Sequence, residues 1–179
     1  MIEALISSKT RVKLLLKFFL NSKTTSYLRG LESEFGESSN AIRLELNRFE
    51  KAGMLQSFSD GNKKMFQANT NHPLFEQIHA ILLKHIGVDK IVDDVVERLG
   101  DVHSVYLVGD LAKGKDSRVI DLLFVGRLDK TYLVKLIDKV EQLISRKVKY
   151  LIYSLVEFER DFAQADFAAK SILIWNKDQ

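Results

Sequence analysis

The residues of the first third of the chain best suited to chemistry lie between Ser38 and Lys51. Asn40, Arg43, Leu44, Asn47, Arg48 and Lys51 recur at steps of three and four, so a helix would gather them on one side. Asparagine pairs bidentately with adenine and arginine with guanine, which makes Asn40, Arg43, Asn47 and Arg48 candidates for reading base edges. Ser38 and Ser39 open the same segment. With the free N–H groups of a helix start, they suit a phosphate oxygen. Lys63 and Lys64 follow the tight-turn signal Asp60-Gly61-Asn62, and a hairpin bearing two lysines can run along a phosphate backbone or into a minor groove.

A second group begins at Gly109-Asp-Leu-Ala-Lys-Gly114-Lys115-Asp116. A glycine-rich loop of this spacing cradles phosphate when it ends in Ser or Thr and opens a helix. Here Asp116 stands at that position, and Val119-Ile-Asp-Leu-Leu-Phe-Val reads as a strand, so the loop is not of that kind. Two-metal phosphoryl transfer needs strand carboxylates at i and i+2, with a third acid nearby. Asp121 has Val119 two positions before it and Leu123 two after, so its strand holds a single carboxylate and no such pair. Asp110 and Asp116 remain, and loop aspartates more often cap turns. Gly109, Lys113, Gly114, Lys115 and Asp121 stay as candidates for holding a nucleotide. Four histidines, His72, His79, His85 and His103, are scattered. Without cysteine or an acidic cluster around them they make no metal site, and neither metal nor other cofactor is expected.

The elements that must position these residues follow from caps and periodicity. Ser8 caps a helix from Lys9 to about Asn21, with Leu14, Leu15, Phe18 and Phe19 as its apolar stripe. Thr25 or Ser26 caps a second, Tyr27 to Phe35, stopped by Gly36; a third runs from Ser39 to Ala52 and ends at Gly53. In that third helix Ile42, Leu46 and Phe49 form the core face. Two alternating strands, Leu55–Ser59 and Lys63–Gln67, flank the turn. This is the winged-helix order. The only proline, Pro73, lies in a polar break. Helices Leu74–Ile86 and Asp89–Leu99 follow, then strands Ser104–Val108 and Val119–Gly126, helix Thr131–Ser145 and strand Val148–Tyr153. A short helix around Val156–Gln164 and a strand Ile172–Trp175 complete the pattern.

The run Ala41-Ile-Arg-Leu-Glu-Leu-Asn-Arg-Phe-Glu-Lys-Ala-Gly-Met-Leu55 resembles winged-helix regulators of the ArsR/MarR kind, and the likeness extends over roughly residues 5–70. It implies a DNA-reading helix followed by a wing. Val105-Tyr-Leu-Val-Gly109-Asp110-Leu-Ala-Lys-Gly114, then Val119-Ile-Asp121-Leu-Leu-Phe-Val-Gly126, resembles minimal nucleotidyltransferases of the DNA-polymerase-beta type. With Tyr150–Phe158 this second likeness spans about residues 88–160. It implies the fold, while the missing first carboxylate implies a chain that is not an enzyme.

The expected fold class is α+β in two domains: an N-terminal winged helix-turn-helix, then a small α/β nucleotidyltransferase-like domain with a mixed sheet. The boundaries are 1–72, a helical linker 73–100, and 101–179. Net charge is +3, with eleven Lys/Arg against seven Asp/Glu in residues 1–72 and sixteen against seventeen afterwards. The basic excess sits where phosphates would be met. The absence of cysteine fits a reducing compartment. The broken apolar run Leu14–Leu20 is no secretion signal, and no stretch is of membrane-spanning length; a soluble, cytoplasmic protein is expected. The expected function is a transcriptional regulator binding double-stranded DNA as a homodimer, its second domain sensing a nucleotide or other small effector, or serving assembly. A nucleotidyltransferase acting on a protein or small molecule, or a protein-interaction module, are the alternatives.

Overall fold

The computed structural model describes residues 2–144, 146–162 and 165–177. The chain divides into two compact units, Met1–Leu82 and Leu83–Gln179.

In the first unit, Ser8 caps α1 (Lys9–Leu15) by accepting from the Arg11 N–H, and the chain continues through a wider π-helical turn, Leu16–Leu20. A two-residue strand, β1 (Ser26–Tyr27), precedes α2 (Leu28–Phe35), which ends on Gly36 in a left-handed conformation. The expected Thr25 or Ser26 cap is therefore corrected: Ser26 pairs in a sheet, and Tyr27 precedes the helix without a side-chain cap. Ser38 caps α3 (Ser39–Lys51). Strands β2 (Leu55–Asp60) and β3 (Lys63–Ala68) close on a two-residue turn, with Asp60 opposite Lys63 and Gly61 at φ 58°. The sheet order is β1-β3-β2, all antiparallel.

Hydrophobic periodicity places the core of this unit. Leu14, Phe18, Phe19, Leu31, Ile42 and Leu46 are buried, as are Phe49, Leu55 and Phe66. Phe19 packs against Phe49 and Phe75, with ring centres 6.3 and 5.7 Å away. Three ion pairs join α1 and its π-helical extension to their neighbours: Arg11–Glu45, Lys13–Glu37 and Lys17–Glu34. The helix α4 (Phe75–Ile86) begins in this unit. There His79 Nδ1 lies 2.8 Å from the Phe19 carbonyl, so the ring donates from that nitrogen.

In the second unit, α5 (Val88–Asp94) leads to β4 (Gly100–Val108), the short helix α6 (Gly109–Ala112) and β5 (Val119–Leu128). Next come α7 (Lys130–Ile144), β6 (Lys147–Tyr153), α8 (Leu155–Phe162), α9 (Ala165–Lys170) and β7 (Ile172–Asn176). The expected helix Asp89–Leu99 is corrected: it stops at Asp94 and a 3-10 turn, Val96–Arg98, follows. The expected ends Ser145 and Gln164 lie outside the described residues. The sheet is mixed, in the order β6-β5-β4-β7. Strands β5 and β6 are parallel and joined through α7, while β4 runs antiparallel to β5 and β7.

One face of this sheet is fully buried through Val105, Leu107, Ile120, Leu122 and Phe124. By alternation the other face carries Asp121, Leu123 and Val125 on β5, Lys149, Leu151 and Tyr153 on β6, and Tyr106 and Val108 on β4. Phe158, Phe162 and Phe167 stack over its Tyr106–Tyr153 end. The Asp121 end is open. The second unit is thus a small α+β domain with a mixed sheet. Among the described residues no helix is long and apolar enough to cross a membrane.

Candidate functional site

The α3 register sorts the sequence candidates cleanly. Ile42, Leu46 and Phe49 are buried, while Asn40, Arg43, Leu44, Asn47, Arg48 and Lys51 are exposed on the opposite arc. Ser38 and Ser39 are both engaged within the protein. Ser38 Oγ accepts from the Ala41 N–H at 3.3 Å, and the Ser39 hydroxyl donates to the Glu32 carboxylate.

The cations divide into two classes. Among the described residues Arg43 and Lys63 have no carboxylate partner, although Lys63 lies 4.5 Å from the centre of the Tyr27 ring. Arg48, by contrast, is 2.8 Å from Glu45, which also takes Arg11 at 2.8 Å. Burial alone would raise the Glu45 carboxyl, but hydrogen bonds and charge from Arg11, then Arg48, hold it below the ordinary value. Lys64 is 2.7 Å from Glu50.

Between α3 and the β2–β3 hairpin lies a groove of about 610 Å³. Tyr27, Leu28, Leu46 and Phe66 supply its apolar lining, and Arg29, Arg43, Asn47, Asn62, Lys63 and Lys64 its polar one. Among the described residues no carboxylate lines it. The structure therefore brings Arg43, Asn47, Lys63 and Lys64 together and leaves Ser38, Ser39, Asn40 and Arg48 outside the groove. Sequence reasoning missed Arg29 and Tyr27. The only sequence signal for Arg29 was the basic excess of this region, and Tyr27 is placed here by the long-range pairing of β1 with β3.

In the second unit, a pocket of about 690 Å³ opens on the sheet, lined by Gly109, Asp110, Asp121, Lys149, Tyr150 and neighbouring strand residues. Gly109 has φ 70°, and a Cβ there would stand 2.4 Å from Asp121 Oδ2, so the carboxylate rests directly on the glycine. Asp121 lies in register with Val108 on one side and Lys149 on the other. Lys113, Gly114 and Lys115 do not line this pocket. Their N–H groups bond back to the Asp110 and Leu111 carbonyls, so the loop spends on itself the donors a phosphate would need. Asp116 turns to Arg146, 3.4 Å away.

The carboxylates Asp110 and Asp121, with Lys149 beside Asp121 and Val119 two positions before it, do not fit a two-ion clamp, which needs closely spaced acids on one strand. Among the described residues no three metal-binding side chains come together.

No family model matches the chain, and no curated protein matches it. Six chains of solved structures do. One is AF1382 from Archaeoglobus fulgidus (18% identity, TM-score 0.38, covering 46% of this chain and 93% of that one). Another is a candidate nucleotidyltransferase from Sulfolobus solfataricus (23%, TM-score 0.36, covering 56% and 85%). A third is a tri-AMPylated HEPN toxin of Shewanella oneidensis in complex with an MNT antitoxin (16%, TM-score 0.38, covering 54% and 75%). The expectation of a chain that is not an enzyme is corrected accordingly: its structural neighbours include an antitoxin complex whose toxin carries AMP.

Proposed function

We propose that the chain is a DNA-binding protein whose first unit is a winged helix-turn-helix, with α2 and α3 as the motif and β2–β3 as the wing. The observation that supports this is the groove in which Arg29, Arg43, Asn47 and Lys63 converge without a carboxylate. An α-helix fits the major groove, and a side-chain arc of Asn and Arg carries the donors that base edges accept. In this reading Arg43 and Asn47 meet bases, with Asn40 and Arg48 on the same exposed arc. Lys63 and Arg29 meet phosphates. The protein binds as a two-fold dimer on a pseudo-palindromic site and regulates transcription. Selection from random duplexes with the purified full chain tests it. A reproducible motif that Arg43→Ala weakens is expected; recovery of unselected sequence ends the reading.

Nucleotidyl transfer to a protein or small molecule is the second reading, favoured by Asp110 and Asp121 lining one open pocket with Lys149. There Asp121 takes the proton of an acceptor hydroxyl, whose oxygen attacks the α-phosphorus of a nucleoside triphosphate. Pyrophosphate leaves, and Lys149 meets the negative charge that builds on phosphate. Transfer of label from α-labelled ATP, with magnesium present, is the expected result, and Asp121→Ala abolishes it. No transfer from any nucleotide to any acceptor supplied removes this reading and leaves the first untouched.

A further inference from the structure

Resting on the DNA-binding reading, we infer that Glu50 is a positioning residue that pins the wing to the reading helix and withholds Lys64 from DNA, damping sequence-independent binding. Glu50 sits in the last full turn of α3, and its two carboxylate oxygens reach both strands of the hairpin. One accepts from the Ser57 hydroxyl on β2 at 2.5 Å, the other from Lys64 Nζ on β3 at 2.7 Å. Hydrogen bonds from Lys64, then Ser57, hold the Glu50 carboxyl below its ordinary value, so it remains charged wherever DNA is bound near neutral pH. Lys63, the preceding residue, points to the opposite face of the strand, where its ammonium lies over Tyr27 on β1. The hairpin is thus held from two sides, by a carboxylate on one and a ring on the other.

The two lysines differ as phosphate ligands for that reason. Lys63 brings an uncompensated charge to the groove. Lys64 brings one already neutralised at contact distance, and a DNA phosphate placed at Lys64 would also face Glu50. Each uncompensated cation that meets a backbone phosphate adds about 0.9 to the salt slope of binding, whatever the sequence. Masking Lys64 removes one such increment and shifts the balance from backbone attraction toward the base contacts of Arg43 and Asn47.

The salt dependence of binding to a selected duplex and to a random duplex, measured by fluorescence anisotropy on the full chain, tests this. Lys63→Gln lowers the slope by about 0.9 on both duplexes, whereas Lys64→Gln leaves it unchanged. Glu50→Gln steepens it by about 0.9 and tightens binding on both duplexes alike. Glu50→Asp retains the wild-type slope, and Glu50→Gln combined with Lys64→Gln returns to it. A flat response to Glu50→Gln, or a Lys64→Gln loss equal to that of Lys63→Gln, overturns the masking while DNA binding stands. If wild type binds neither duplex, the underlying reading falls and the inference with it. Should Glu50→Gln fail to fold, the Lys63→Gln and Lys64→Gln pair still decides.

Discussion

Arg43 and Arg48 lie on the same exposed arc of one helix, yet their surroundings give them different work. Arg48 shares Glu45 with Arg11, while Arg43 projects into the groove with no acidic partner among the described residues. Arg43→Ala is expected to cost specific DNA binding about 1–3 kcal/mol and to relax the preference at one base position. Arg48→Ala should cost less, because its charge is already engaged. Equal losses on selected and random duplexes would show that Arg43 meets only phosphate. Glu45 carries a separate consequence for stability. Its carboxyl titrates lower in the folded protein than the ordinary value near 4.5, so the Arg11 pairing stabilises the fold above that value. The contribution disappears as pH falls from there through the depressed one. Chemical denaturation at stepped pH should show a shallower acid loss for Glu45→Gln than for wild type. An unchanged profile would mean that the pair contributes nothing net. These distinctions were not legible in sequence. The arc itself was, since helical spacing alone separates Arg43 and Asn47 from Ile42 and Leu46. Arg48 finds Glu45 three residues back on the same helix, but Arg11, which shares that carboxylate, and the Glu50–Lys64 pair are brought together only by packing.

At the level of elements, local signals located most of the chain and failed where the determinant is remote. Ser8, Ser38, Gly36 and the Asp60–Lys63 turn each act within a few residues, and the helices and hairpin they bound stand where periodicity puts them. The strand β1 has only two residues and no period of its own. It exists because Ser26 and Tyr27 pair with Phe66 and Met65. Sequence excluded a helix-opening phosphate loop at Gly109–Asp116 but left its glycines and lysines as nucleotide candidates, and it does not show that their N–H groups close a turn on themselves. A glycine in a strand and one in a hairpin turn give a sharp contrast. Gly126 has φ 143°, and a Cβ there would meet the Asp101 carbonyl oxygen at 2.3 Å, beside the irregularity between Val102 and Ser104. Gly61 has φ 58° and nothing within 4 Å. Gly61→Ala should therefore cost only the backbone penalty, about 1–2 kcal/mol. Gly126→Ala adds overpacking of about 1–3 kcal/mol against backbone that cannot step aside. Thermal melts compare them directly, and a Gly126→Ala melt equal to that of Gly61→Ala would show that the sheet absorbs the methyl.

Across the whole molecule, charge and chemistry are divided between the two units. The excess of Lys and Arg lies in residues 1–72, with its groove free of acids. The second unit is close to neutral and places two acids in its pocket. A chain with a nucleic-acid site and a nucleotide site can link them only through binding free energy, and such linkage is reciprocal. If the Asp121 pocket is an effector site of a regulator, ATP changes the affinity for the selected duplex by some factor. The duplex must then change the affinity for ATP by the same factor. Titrating each ligand in the presence and absence of saturating amounts of the other measures both. Equal factors different from one are the result expected of a regulator, and Asp121→Ala should abolish them while leaving DNA affinity without nucleotide intact. A factor of one, with labelled AMP transferred to an acceptor, assigns the pocket to catalysis independent of DNA. Mutual exclusion, each ligand displacing the other completely, would mean that the nucleotide meets the basic groove of the first unit itself. That groove is cationic and carries Tyr27, and Arg29→Ala would then weaken nucleotide binding where Asp121→Ala does not.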